Sequence, residues 1–469
     1  MTQEIVLPKS LSATARAILK QSWPTLISAW AGIAFGVLDT IMTGHASAND
    51  LATMALSVSI YITVFVGLMG VMHALIPILA QYYGAGQLDR IGHAWGQGIW
   101  VALGLSVAGG LVMMFPDIWL SFSGEISPDV RQSMNHYLWA LTVALPAALI
   151  FRTIYSLANA VSRPKLVMMI NLLGIALKVI FNWVLIFGNW GLPALGAAGA
   201  GVSTCIVNWI SLGVGLWMVS RTPFYQQFNL RFDRPDWAEI RSILKLGIPM
   251  GGSYFVEVCA FTFMSLLIAQ EGTAVIGGHQ IMSNLAALAY MMPMSIGITT
   301  AALAAQALGA KAFVHAHRTC MVGLGISLAG AIFTALLLYF ERATIVNIYT
   351  DKPEVATVAL GLLTILPWFH VIDSMQCINS YMLRAHKIAI IPMLLQTFAL
   401  LVIGLLGGWW VGFGPGKDWM EPVLRTWLGG APAGATSMWL TAALGLAISA
   451  ALLQGFYRFI VKRDDGLTL

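Results

Sequence analysis

The sequence predicts an all-α integral membrane protein, with twelve transmembrane helices in two pseudo-symmetric six-helix lobes. Three observations lead there. Of 469 residues, 58% are hydrophobic and only 10% are charged, against about 25% charged in soluble globular chains. Apolar stretches of about 20 residues, enough to cross a ~30 Å hydrocarbon core, recur from end to end. The two halves also resemble each other at a fixed offset. The alternating ten-residue strands of a transmembrane barrel do not occur.

The N-terminal stretch MTQEIVLPKSLSATARAILKQSW lacks the layout of a cleaved signal, so the first helix is expected to be retained. The predicted spans are 20–44, 51–80, 93–115, 133–159, 166–188, 197–220, 243–269, 275–307, 316–340, 355–382, 388–412 and 436–459. Several exceed 23 residues, which implies tilt, kinks or extension beyond the lipid. Polar joints such as HASAND, SGEISPD, YTDKPE and GFGPGKDWMEP separate them.

With the chain starting in the cytoplasm, 18 of the 25 Lys and Arg fall inside and five outside, namely Arg131, Arg342, Lys352, Lys417 and Arg425. Two, Arg152 and Lys178, fall within spans. This positive-inside bias puts both termini of a multi-pass protein in the cytoplasm. The net charge of +5 then needs no nucleic acid to explain it. Cys205, Cys259, Cys320 and Cys377 all lie in apolar spans without metal-ligand spacing, which assigns them to packing.

The repeat offset is 225 residues. Pro24 in SWPT matches Pro249 in GIPM, and LAQYYGA at 79–85 matches AAQALGA at 304–310. Six spans per half is an even number, so the repeat is parallel and a cavity is expected between lobes near mid-membrane. The lobes are expected at 1–220 and 243–469, joined by a basic cytoplasmic linker at 221–242. Pro24 and Pro249, each lacking a backbone donor, are candidate helix bends.

Five Asp, Glu, Lys or Arg residues fall within the spans, each costing about 2.5–3.5 kcal/mol on insertion scales. They are Asp39, Arg152, Lys178, Glu257 and Asp373. Arg152, about two turns from the inner end of its span, is expected to reach back to the cytoplasmic face. Glu257 and Asp373 lie near mid-depth, and the second half supplies no Lys or Arg at their level. Two such carboxylates require protons or a bound cation, which is transport chemistry. Asp39, Lys178 and Asn182 form an expected cluster in the first half, Asn182 being one turn above Lys178. Tyr254, Phe261, Met264, Gln280, Met291, Met292 and Phe369 are candidate cavity-lining residues, since soft and aromatic walls suit flat cations. No P-loop, Ser/His/Asp order or HExxH motif suggests an enzyme or an ATP-driven pump. A lipid flippase is the alternative, and it would want a more basic interior.

The stretches LDTIMTGHASANDLATMALSVSIY, PILAQYYGAG, IPMGGSYFVEVCAF, GGHQIMSNLAALAYMMPMSIG and VIDSMQCINSYMLRAHK resemble the multidrug and toxic compound extrusion (MATE) family, and its NorM-like bacterial branch. The resemblance covers nearly the whole chain. It implies twelve helices, alternating access, and export of organic cations and amphiphilic drugs in exchange for H+ or Na+; separately, no cofactor and a monomer are expected. It assigns Glu257 and Asp373 to a second-lobe cation site, Asp39 to the first-lobe aspartate and Asn182 to its partner group. Phe369 stands where Na+-coupled relatives often carry a tyrosine, and Lys178 where many carry an asparagine. The lost oxygen ligand favours H+, or a looser Na+ site at Glu257 and Asp373.

Overall fold

The computed structural model describes residues 10–115, 127–418, Glu421, Pro422, Leu424 and 432–466. Expectations for residues 1–9, for Arg425 and for most of the SGEISPD joint lie outside that set. Among the described residues there are helices and turns and no strand.

Among the described residues, eleven helices are long and apolar enough to span: Leu11–Ala46, Asn49–Gly84, Leu88–Met114, Pro128–Ala160, Lys165–Phe187 and Gly196–Arg221 (spans 1 to 6), Trp237–Glu271, Thr273–Gly309 and Phe313–Phe340 (spans 7 to 9), and Ile390–Gly412 and Ala433–Arg463 (spans 11 and 12). Span 10 is a bent pair, Pro353–Leu362 and Leu366–Ala385. Large apolar side chains such as Trp217, Phe333, Phe340 and Trp368 stand on the outside, as a lipid-facing surface requires.

Differences from the expected spans have local causes. Span 1 starts at Leu11, not 20, because Ser10 supplies a helix start: its Oγ accepts from the Ala13 amide at 3.2 Å. Span 7 starts at Trp237, where Asp236 Oδ1 accepts from the Ala238 amide at 2.9 Å. Such side-chain acceptors satisfy amides the first turn leaves orphaned. Span 10 was expected as one helix over 355–382 and instead bends by 47°. Pro367 sits in the first turn of its second segment, where a missing N–H is harmless but a continuous helix is not. Span 11 turns π-helical over Phe398–Leu406. Pro24 and Pro249 lie inside helices that run on through them.

The chain packs as two compact units. One comprises Trp23–Phe255 with Gly309–Lys311; the other comprises 10–22, Val256–Leu308 and the described residues from Ala312 onward. Met54, Met134, Tyr137 and Leu141 are core residues of the first. Met264, Leu362, Phe369 and Trp439 are core residues of the second.

In the first unit the linker is strapped to span 3. Gln97 donates to the Arg234 carbonyl (3.1 Å) and accepts from the Asp236 amide (2.8 Å), and Trp100 Nε1 donates to the Asp233 carbonyl (2.9 Å). A Cβ on Gly92 would stand 2.2 Å from the Phe228 carbonyl oxygen, so only glycine lets the strap lie this close. His93, 3.2 Å from Asp236, holds that carboxyl below the usual carboxylate range.

Each half also seats a carboxylate on the start of its sixth span. Asp50 Oδ1 accepts from the Ala197 amide at 2.7 Å. Glu271 accepts from the Gly434 and Ala435 amides at 3.0 and 2.7 Å. A negative group there meets orphan N–H donors and the positive end of the helix dipole. A Cβ on Gly196 would fall 2.2 Å from Asp50 Oδ1, and one on Gly434 would fall 2.6 Å from Glu271 Oε1.

Candidate functional site

In the first unit, spans 1, 5 and 6 bring Asp39, Lys178 and Asn182 together, and all three are buried. Lys178 Nζ lies 2.8 Å from Asp39 Oδ1, and Asn182 Nδ2 donates to the same oxygen at 2.8 Å. Lys178 also donates to the Ala200 carbonyl at 3.1 Å and to the Thr204 hydroxyl. Thr204 reaches Asp39 Oδ2 at 3.5 Å. A carboxylate and an ammonium removed from water together need such extra partners to offset desolvation. The lysine and asparagine lie one helical turn apart, which aims both at one acceptor. Thr204 was not anticipated, because a threonine in an apolar helix ordinarily bonds back to its own helix, as this one also does to Ala200 at 2.9 Å.

The second unit holds Glu257 and Asp373, each partly exposed. Gln396 Nε2, from the turn before the π-helical stretch of span 11, donates to Glu257 Oε2 at 3.1 Å. The carboxyls of Asp373 and Glu257 repel each other. No described residue hydrogen-bonds to the Asp373 carboxyl. From the far end of span 10 the charge of Arg384 acts on Glu257. Span 10 runs on to Ala385, and the Arg384 guanidinium, 4% exposed, lies over the Tyr381 ring at 4.7 Å. No group of three His, Cys, Asp or Glu capable of holding a metal occurs among the described residues.

The cavity candidates separate. Phe261 and Phe369 meet edge-on at 6.4 Å, both against Trp439 at 5.8 and 5.0 Å. Phe369 and Met264 are buried in the core of the second unit. Trp439 donates to His279 Nδ1 at 3.2 Å, and Ser265 contacts Nε2 at 2.8 Å, so His279 anchors packing. Gln280 is exposed and bonds its helix neighbour Asn284 at 3.3 Å. Met291 and Met292 are half-buried. Tyr254 is buried in the first unit beside His73, ring centroids 5.8 Å apart.

A duplicated twelve-span helical fold with ionisable side chains held inside both halves defines a membrane transporter. The MatE family model matches residues 24–184 and 249–410, two segments that begin 225 residues apart. The chain belongs to that family. It is 35% identical over 423 residues to a probable multidrug resistance protein NorM of Aromatoleum aromaticum, covering 90% of this chain and 91% of the relative. It is 31% identical over 458 residues to the multidrug resistance protein NorM of Vibrio vulnificus, covering 97% of both. The fold matches the crystal structure of the eukaryotic MATE transporter AtDTX14 with a TM-score of 0.83, at 17% identity and over 98% of this chain and 99% of that one.

Proposed function

We propose that this protein is a secondary active multidrug efflux antiporter, exporting organic cations and amphiphilic drugs in exchange for protons by alternating access. The names of its NorM relatives support the drug substrates. The observation that carries the coupling is a pair of intramembrane carboxylate clusters, one in each compact unit. A charge at membrane depth is retained only where it does something or is neutralised.

Protons fit these residues better than Na+. Asp39 already has a cation in Lys178. Around Glu257, Phe369 is turned into the aromatic core and offers no oxygen, while Arg384 adds positive charge. A hard cation asks for several oxygens; a proton asks for one. In this reading, a proton arriving on Asp39 releases Lys178 to Ala200 and Thr204, leaving Asn182 to hold a neutral carboxyl. A proton shared by Glu257 and Asp373 relieves their mutual repulsion while Gln396 keeps Glu257 in place. Each cluster is thus a two-state element biased by proton occupancy.

The repeat supports lobes at 1–220 and 243–469 with 221–242 as linker, and the Lys/Arg bias supports cytoplasmic termini in an inner membrane. The transporter works as a monomer with no cofactor. The test is uptake of tetraphenylphosphonium into proteoliposomes under an imposed pH gradient or an imposed Na+ gradient. The pH gradient alone should drive it; transport driven only by Na+ would overturn proton coupling. Single cysteines at Asn49 and Lys417 should label from outside, and those at Gln87 and Gln227 only after permeabilisation.

A further inference from the structure

Span 7 carries a surface that neither carboxylate cluster uses. It begins at Trp237, directly after the linker strapped to span 3. Trp237, Ile240, Arg241, Leu244, Lys245 and Ile248 line a groove of about 470 Å³. Their spacing of three or four residues puts them on one stripe of the helix, about 17 Å long at 1.5 Å per residue. Trp237 is 76% exposed and Ile248 60%, and Arg241 and Lys245 are exposed beside them. All six lie on one helix of the first compact unit, so the groove opens away from that unit's core.

The two cations of the stripe are uncommitted. Among the described residues, neither Arg241 nor Lys245 forms an ion pair or donates a hydrogen bond. The nearest acids in sequence are engaged elsewhere. Asp233 pairs with Arg231 at 2.7 Å, and Asp236 lies 3.2 Å from His93 and accepts from the Ala238 amide. Glu239 accepts from the Tyr82 hydroxyl at 3.2 Å. The stripe therefore keeps two positive charges that no described residue neutralises. A tryptophan at the helix entry, with basic side chains along an apolar ladder, is the pattern of a membrane–water boundary. A free anion would use Arg241 and Lys245 but not Trp237, Leu244 and Ile248, and an apolar solute the reverse. A phospholipid uses both.

We propose that this stripe binds an anionic phospholipid, its phosphate between Arg241 and Lys245 and one acyl chain along Leu244 and Ile248. The guanidinium fork takes phosphate oxygens bidentately, and the ammonium adds a point charge. Trp237, apolar in its body and polar at its N–H, suits the edge where chain gives way to headgroup. The lipid then ends one residue short of Pro249, where span 7 lacks a backbone donor. Bound there, it braces the turns that join the strapped linker to the second half of the chain. The inference goes beyond the efflux reading and does not rest on it.

The test is native mass spectrometry of the purified full-length protein, delipidated in detergent and titrated with phosphatidylglycerol or with phosphatidylcholine of the same acyl chains. Wild type should prefer phosphatidylglycerol. Arg241→Gln and Lys245→Gln should each weaken its binding about fivefold, the effect of one basic residue at an anionic surface. The double variant should bind the two lipids alike, and both side chains are exposed, so folding is not at stake. Arg16→Gln with Lys20→Gln removes the same charge from exposed positions near the start of span 1, and should leave the preference intact. A preference that survives in the span 7 double variant would overturn the site. So would an equal loss in the span 1 variant, which would make the effect one of net charge. Displacement of the lipid by inorganic phosphate at constant ionic strength would overturn the lipid as ligand. A dimer mass that disappears in the span 7 double variant would put a second copy of the chain on the stripe and overturn it as well.

Discussion

The two carboxylate clusters are built on opposite principles. In the first unit, Asp39 meets a full countercharge at 2.8 Å, and the surplus donors of Lys178 are used up on Ala200 and Thr204. In the second, Glu257 is held by one neutral amide, Asp373 by no described residue, and the two acids act against each other. Thus the first cluster is complete without a solute, and the second asks for one. The lesson is that a duplicated fold need not duplicate its chemistry: in the proposed reading, one half is a latch that a proton opens and the other a seat that a proton fills.

The largest expected effect falls on the seat. Glu257→Gln and Asp373→Asn should each reduce gradient-driven efflux to background while the protein remains folded and inserted, since neutral side chains cost less at membrane depth. Export at the wild-type rate by either variant would erase the contrast with the first unit. Next comes the latch. Lys178→Met strips Asp39 of its countercharge and should cost about 3–5 kcal/mol, the usual penalty for a buried charge left alone. Adding Asp39→Asn should return most of that loss, a coupling that a double-mutant cycle on thermal unfolding in detergent would read. The pH profile of efflux should change in Lys178→Met and in Asp39→Asn; three superimposable profiles would make the pair mere packing.

A smaller effect is expected at Gln396. Gln396→Leu removes one hydrogen bond to a charged group, about 1.5–3 kcal/mol when buried, and should weaken efflux without abolishing it. Wild-type efflux in this variant would mean Glu257 is positioned by something else. The smallest contrast concerns the two helix-start glycines. Gly196→Ala should destabilise more than Gly434→Ala, by about 1–2 kcal/mol, because only Gly196 also holds a left-handed backbone, with φ at +53°. Equal unfolding temperatures would show that the carboxylate contact alone matters.

Much of this was legible in the chain, for physical reasons. Charges are so scarce in the spans that Asp39, Lys178, Glu257 and Asp373 announce themselves, and one helical turn between Lys178 and Asn182 predicts a shared target. The duplication was legible because prolines and glycines tolerate little substitution at close approaches, as at Gly309, where an added Cβ would stand 2.0 Å from the Gln81 carbonyl. Thr204 and Gln396 were not legible, because a hydroxyl or amide in an apolar helix carries no sign of its tertiary partner. The burial of Arg384 was not legible because it lies beyond the expected end of span 10 at 382; stacking on Tyr381 accompanies that burial. Arg152 stands over Tyr155, one turn away, and over Phe65, whose distance in sequence hides the contact. The π-helical turn of span 11 leaves no trace in hydropathy at all.

The carboxylates seated on spans 6 and 12 carry a last consequence. One repeat uses an aspartate and the other a glutamate, yet each is cradled by a glycine at the same helical start. Asp50 sits in the first turn of span 2 and Glu271 at the end of span 7, so the two acids reach their helix starts from opposite sides of corresponding joints. After duplication, then, the loops were free to drift in length and course, provided that an acid of the right reach still docked. Transplanting Asp for Glu271 would leave the carboxyl one bond short of the Gly434 and Ala435 amides, undone by geometry although its charge is unchanged.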